Sequence, residues 1–142
     1  MEELNKVIKE INETNKRGII RKLDELGRVV IPVEFRGENV EDGITNVEIY
    51  QIGKYVVVEV LKEKYEKKKK FDELGRVVIN IEIRNKLNWN EKDEIEIWNY
   101  NDKFFILRKV EKECIFCFSN KDLIEFKKTL ICKNCKKELL ES

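Results

Sequence analysis

The chain contains no histidine and a single proline, Pro32, in 142 residues. It also lacks an excess of either charge. Lys+Arg number 29 against Asp+Glu 28, a net charge of +1, although 40% of the residues are charged. Global charge therefore does not announce a nucleic-acid partner, and any basic footprint must be local. No apolar run approaches the roughly 20 residues that span a bilayer, and the N-terminus has no apolar signal-peptide core. These absences point to a cytoplasmic protein without a membrane partner. With no histidine, no nucleophile motif and no phosphate-binding glycine loop, an enzyme is not expected, nor a small-molecule substrate. Cysteine is absent until position 114, and then four occur.

What is present is a repeat. Asp24-Glu25-Leu26-Gly27-Arg28-Val29-Val30-Ile31 returns unchanged as Asp72-Glu73-Leu74-Gly75-Arg76-Val77-Val78-Ile79. Identity at a fixed offset marks a repeated structural unit. The match extends from Leu23/Phe71 to Arg36/Arg84, resumes at Val47-Glu48-Ile49-Tyr50 against Ile95-Glu96-Ile97-Trp98, and ends in Lys54–Val58 against Lys103–Leu107. Each copy reads as strand, glycine turn, strand, short helix or loop, then hairpin. Units this small cannot bury a core alone, so the two copies are expected to pack on each other.

Before the repeat, Leu4, Val7, Ile8 and Ile11 make an apolar stripe at helical spacing over residues 1–16. A helix so short is marginal in water and must pack on something; capping a barrel and pairing with a second subunit both remain open. In copy one, Gly27 can take positive φ at a turn, and Val29-Val30-Ile31 is β-branched and reads as core. Pro32 can start a helical turn, which Gly37 and Gly43 leave short or broken. Copy two carries the more complete helix, 81–89. Hairpins are expected at 47–60, turning near Gly53, and at 94–108, turning near Asn101. The connector 61–70 is highly charged. Its Lys69 and Lys70 align with Arg21 and Lys22, so a basic pair precedes both turns.

The stretch from Gly18 to Arg36 resembles the signature of the AbrB/SpoVT family of bacterial transition-state regulators. Counting both copies, the resemblance covers 18–109. It implies a mainly β fold with short helices, an AbrB-like swapped-hairpin β-barrel formed by two tandem repeats. It further implies a DNA-binding transcription regulator of the nucleoid, with a double-stranded promoter partner that is flexible and A·T-rich. The candidate DNA contacts are Arg21, Lys22, Arg28 and Arg36 in copy one, and Lys69, Lys70, Arg76 and Arg84 in copy two. Arginine suits the task because its planar fork donates to phosphate or to guanine edges. Two departures stand out. Asn80 replaces the family's proline, and Gly37 and Asn85 replace a second basic residue after Arg36 and Arg84. Family members hold one unit per chain and dimerise. Two units here suggest an intramolecular pseudo-dimer, with two interchain barrels as the rival. An antitoxin-like protein or interaction scaffold of the MazE type is the alternative function.

The tail carries Cys114-x2-Cys117 and, after fourteen intervening residues, Cys132-x2-Cys135. Each C-x2-C lets two thiolates reach one metal, and four complete a tetrahedral site. The expectation is one structural zinc ion held by Cys114, Cys117, Cys132 and Cys135. A redox pair, an iron–sulfur cluster and unliganded thiols are the other readings. Four thiolates leave no open position for a catalytic water. A small hairpin over 123–131 and a closing helix over 135–140 complete a treble-clef or zinc-ribbon-like module. It resembles the zinc-binding module of ClpX-type unfoldases. Loaded with zinc, the chain would carry a net charge of −1, so the tail suits assembly into a homo-oligomer better than a DNA grip. The expected organisation is an N-terminal helix at 1–17, repeats at 18–62 and 63–110, and the four-cysteine zinc module at 111–142.

Overall fold

A computed structural model describes residues 2–14, 17–37, 40–63, 69–127 and 129–141. Met1, Asn15 and Lys16 of the expected first helix, and Lys67 and Lys68 of the connector, lie outside them. The chain divides into two compact units, Met1–Lys109 and Val110–Ser142. It is mainly β with four short helices.

Unit 1 runs α1 (Glu2–Thr14), β1 (Ile19–Lys22), β2 (Arg28–Val30), α2 (Val33–Arg36), β3 (Asn46–Ile52) and β4 (Tyr55–Val60). It continues with β5 (Lys69–Lys70), β6 (Arg76–Val78), α3 (Ile81–Leu87), β7 (Glu94–Tyr100) and β8 (Phe104–Lys109). Six strands form one antiparallel sheet in the order β1-β7-β8-β4-β3-β5, curled into a half-barrel. β2 and β6 form a separate antiparallel ribbon.

The pairing crosses between copies. β1 of copy one lies against β7 of copy two, with Arg21 opposite Ile95. β5 of copy two lies against β3 of copy one, with the aligned Lys69 opposite Val47. Equivalent strands pair with each other about matched centres. Val29 faces its twin Val77 in the ribbon, and Val57 faces its counterpart Ile106 where β4 meets β8.

Strand alternation explains the two cores. Successive side chains point to opposite sheet faces. Val56 and Val58 therefore join Val29, Ile31, Phe71, Ile79, Ile95, Phe105 and Leu107 in the main core. Tyr55 and Val57 point the other way, into a second cluster with Trp98, Ile106 and the α1 residues Leu4, Ile8 and Ile11. Both faces of the central strands are covered, so β4 reads as a continuous apolar run rather than an alternation. The α1 stripe is thus buried on its own chain's sheet, at about 1.5–3 kcal/mol for each large side chain removed from water. Tyr55 also hydrogen-bonds Asn12 of the helix.

The three-residue strands of the ribbon correct one expectation. Val29 and Ile31 are fully buried, as are Val77 and Ile79, but Val30 is half-buried and Val78 is exposed. With a period of two, the middle valine must face away from the core. The unequal helices follow from their caps. Asn80 Oδ1 accepts from Ile83 N at 2.9 Å, and the left-handed Asn88 closes the seven-residue α3. Pro32 offers no side-chain cap, and Gly37 ends α2 after four residues.

Unit 2 contains β9 (Leu123–Phe126), β10 (Thr129–Cys132) and α4 (Lys133–Glu141), with β9 and β10 antiparallel.

Candidate nucleic-acid interface and metal centre

Each Asp-Glu-Leu-Gly turn is built by its aspartate. Asp24 Oδ1 accepts from Leu26 N at 2.9 Å and Arg28 N at 2.8 Å, while Oδ2 accepts from Arg28 Nε at 2.7 Å. Asp72 repeats the pattern with Leu74 and Arg76, the Nε bond being 2.6 Å. Burial works against both carboxylates. The backbone N–H groups and the arginine guanidinium outweigh it, and hold both below the ordinary aspartate value. The same aspartate therefore closes the turn and orients the following arginine. Gly27 and Gly75 take φ of 74° and 75°.

Arg36 and Arg84 sit differently from a free phosphate grip. Arg84 Nε donates to Ile79 O at 2.8 Å, and Ile79 N donates to Gly27 O at 2.9 Å. The Arg84 guanidinium lies so close to Gly27 that an added Cβ would overlap its Cζ. The mirror arrangement holds in the other half. Arg36 Nε donates to Ile31 O at 2.9 Å, Ile31 N to Gly75 O at 3.1 Å, and the Arg36 guanidinium covers Gly75. Each arginine thus latches the turn of the opposite copy. Arg28 is grouped with Arg84 around the first turn, and Arg76 with Arg36 around the second. Arg36 has one further partner, an ion pair with Asp42, and its side chain is only 13% exposed.

The remaining candidate cations lie on the strands leading into the turns. Lys22, Lys69 and Lys70 are exposed, and Arg21 is half-buried with Nη1 on Ile20 O at 2.9 Å. Lys69 Nζ is 3.4 Å from Val78 O, which ties β5 to the ribbon. Beside the arginines, both turn tips expose a leucine, Leu26 at 58% and Leu74 at 64%. Sequence reading passed over Asp42. In the fold its counterpart is Glu91, because Gly43 N donates to Phe71 O as Lys92 N donates to Leu23 O.

In unit 2 the four cysteine sulfurs lie within 4.8 Å of one another. Cys114 begins a tight knuckle in which Phe118 N donates to Cys114 O at 3.0 Å. Cys132 ends β10, and Cys135 lies in the first turn of α4. Ile115 N donates to Leu130 O at 2.8 Å, bringing the knuckle onto the hairpin. All four are free thiols rather than disulfides. Burial opposes the Cys114 thiolate, but N–H groups of Cys117, Cys132 and Phe116 bring its pKa down to about 6. The neighbouring Cys132 sulfur and burial push the Cys135 thiol up. Such a cluster can hold a metal ion through sulfur. Among the described residues of the unit only Cys114 and Cys132 are well buried, whereas Ile115, Phe116, Phe118, Phe126, Leu139 and Leu140 are exposed.

No family model, curated protein or solved structure matches the chain. Among the described residues no helix is long and apolar enough to cross a membrane.

Proposed function

We propose that unit 1 is a DNA-binding module of the AbrB/SpoVT type and that the protein is a transcription regulator. The observation that carries this reading is the eight-residue repeat, whose copies form two matched turns, each holding an aspartate-oriented arginine beside a second arginine from the other copy. The crossed strand pairing supports the finer fold reading, a swapped-hairpin barrel completed within one chain. Arg28 and Arg76 are half-buried at the turns and held by Asp24 and Asp72. They and the exposed Lys22, Lys69 and Lys70 are the direct phosphate contacts in this reading, with Arg21 beside them. Arg36 and Arg84 hold the turns and add charge. The promoter preference is for deformable, A·T-rich DNA, because few side chains are suited to strict base readout.

Unit 2 is proposed as a structural zinc module. Four thiolates around one ion give sulfur–sulfur edges of about 3.8 Å when Zn–S is about 2.3 Å. The observed cluster, with Cys117 and Cys132 sulfurs 3.5 Å apart, is close to that size. A unit this small, with its large apolar side chains exposed, gains folding energy from the ion rather than from a core. Those exposed side chains also suit self-association, so homo-oligomers form through this unit.

The test is a DNA titration across salt with the full zinc-loaded chain, comparing wild type with Arg28→Ala/Arg76→Ala. The expected result is a log–log slope near −0.9 per phosphate contact, made shallower by roughly two contacts in the double variant. Absence of binding at low salt by folded protein refutes the regulator reading. One observation favours a second role, docking of a protein in the antitoxin manner: Leu26, Leu74, Val33 and Ile81 are exposed at matched positions. A partner captured at these side chains, with no DNA bound, would establish it.

A further inference from the structure

We propose that Leu26 and Leu74, at the tips of the two matched turns, act as apolar wedges that enter stacked base steps of the bound duplex and kink it. This rests on the DNA-binding reading above and adds how deformable DNA is selected.

The repeated phrase holds more than its turn requires. Asp24 and Asp72 close the turns through backbone N–H groups, and Gly27 and Gly75 supply the positive φ. Val29, Ile31, Val77 and Ile79 fill the core, and the arginines complete the aspartate bonds. Leu26 and Leu74 do none of this. They are 58% and 64% exposed, where turns ordinarily carry glycine or polar residues. They are nevertheless held in place. Leu26 N donates to Asp24 Oδ1 at 2.9 Å, and Leu74 N donates to Asp72 Oδ1 at 2.9 Å. A large apolar side chain in water, on a backbone already fixed, is what insertion between bases needs.

Charge selects the occupant. Around the first tip, Arg21, Lys22, Arg28 and Arg84 outnumber Asp24 and Glu25. Around the second, Lys69, Lys70, Arg76 and Arg36 outnumber Asp72, Glu73 and Asp42. A leucine set among cations suits a polyanion with an apolar interior. In a duplex, the phosphates meet the cations and the base stack meets the leucine.

The ribbon fixes the spacing. Ile79 N donates to Gly27 O at one end, and Ile31 N donates to Gly75 O at the other. At about 3.4 Å per residue from Gly27 to Ile31, the two tips stand roughly 14–20 Å apart. That is the rise of about four to six base pairs. Two wedges so placed kink the steps they enter, and TA and CA/TG steps yield most readily.

The experiment uses the full zinc-loaded chain and short A·T-rich duplexes carrying two TA steps at varied separation. Energy transfer between labelled duplex ends reports bending, and 2-aminopurine at a TA step reports unstacking. Wild type is expected to bend the duplex by about 20–90° and to raise 2-aminopurine emission. It should prefer TA steps over AA steps by roughly fivefold or more, most strongly at a separation of about four to six base pairs. Leu26→Ala/Leu74→Ala loses the bend, the emission rise and the preference. Its salt slope stays within about 0.9 of wild type, because no phosphate contact is removed. Leu26→Met/Leu74→Met keeps a flexible apolar side chain and retains the bend. Tryptophan emission verifies that unit 1 is folded in each variant. A straight, stacked duplex in the wild-type complex overturns the wedge and leaves the leucines to a protein partner. A bend undiminished in the alanine variant also overturns it, and in both cases DNA binding stands. Failure of the folded wild type to retain any duplex at low salt overturns both readings.

Discussion

Gly27→Ala isolates the cross-copy latch when it is compared with Gly53→Ala. Both glycines have positive φ, 74° and 58°, so alanine at either costs about 1–2 kcal/mol in left-handed backbone. Part of that, about 0.4–1 kcal/mol, is offset by the stiffer unfolded chain. At Gly53 nothing lies within 4 Å of an added Cβ, so no further cost arises there. At Gly27 the Cβ would overlap Arg84 Cζ and lie 2.5 Å from Nε. Arg84 must leave, and its charge-assisted bond to Ile79 O, worth about 1.5–3 kcal/mol, goes with it. Gly53→Ala should therefore cost about 1 kcal/mol and Gly27→Ala about 3–4 kcal/mol. Urea unfolding followed by tryptophan fluorescence reports this cleanly, because the two tryptophans, Trp89 and Trp98, are buried in unit 1. In an Arg84→Ala background the extra cost of Gly27→Ala should vanish. Equal destabilisation by the two glycine variants, or an undiminished Gly27→Ala cost without Arg84, refutes the latch.

Other consequences are open to measurement. Stripping metal with a strong chelator should leave tryptophan emission unchanged and expose four reactive thiols, and metal analysis of the untreated protein should give one zinc per chain. Leu4→Ala should destabilise unit 1 by about 2–5 kcal/mol and red-shift the emission of Trp98, which shares its cluster. Asp24 and Asp72 titrate below their ordinary value in the folded state. Their contribution is therefore complete above the unfolded pKa of about 3.9 and is lost as pH falls through the lower folded values. The urea midpoint should drop below about pH 4, and Asp24→Asn/Asp72→Asn should flatten that fall.

Much of this architecture could be read from the sequence because the repeat supplies two independent views of one unit. Hairpin turns at Gly53 and Asn101, the stronger helix in copy two and the apolar stripe of α1 all follow from local pattern. What the pattern could not supply is which copy a side chain would serve. Arg36 and Arg84 follow their own copies in sequence, yet each crosses to the other copy's glycine, a contact set by the pairing of β2 with β6 rather than by spacing. The same limit applied to Val78, whose β-branched neighbours suggested burial although alternation turns it outwards. In the tail, the cysteine spacing foretold the sulfur cluster, because two knuckles can close on one point whatever lies between them. The exposure of Phe118, at 70%, was not legible, since an aromatic in so short a segment reads equally as core.

Pairing of the two copies within a single chain also changes what dilution can do. A barrel assembled from separate chains comes apart as its concentration falls, because association is bimolecular. Here β1 and β5 reach strands of the opposite copy on a covalent tether, so that closing the half-barrel sheet is a first-order event. Unit 1 should unfold at the same denaturant midpoint across a wide range of protein concentration.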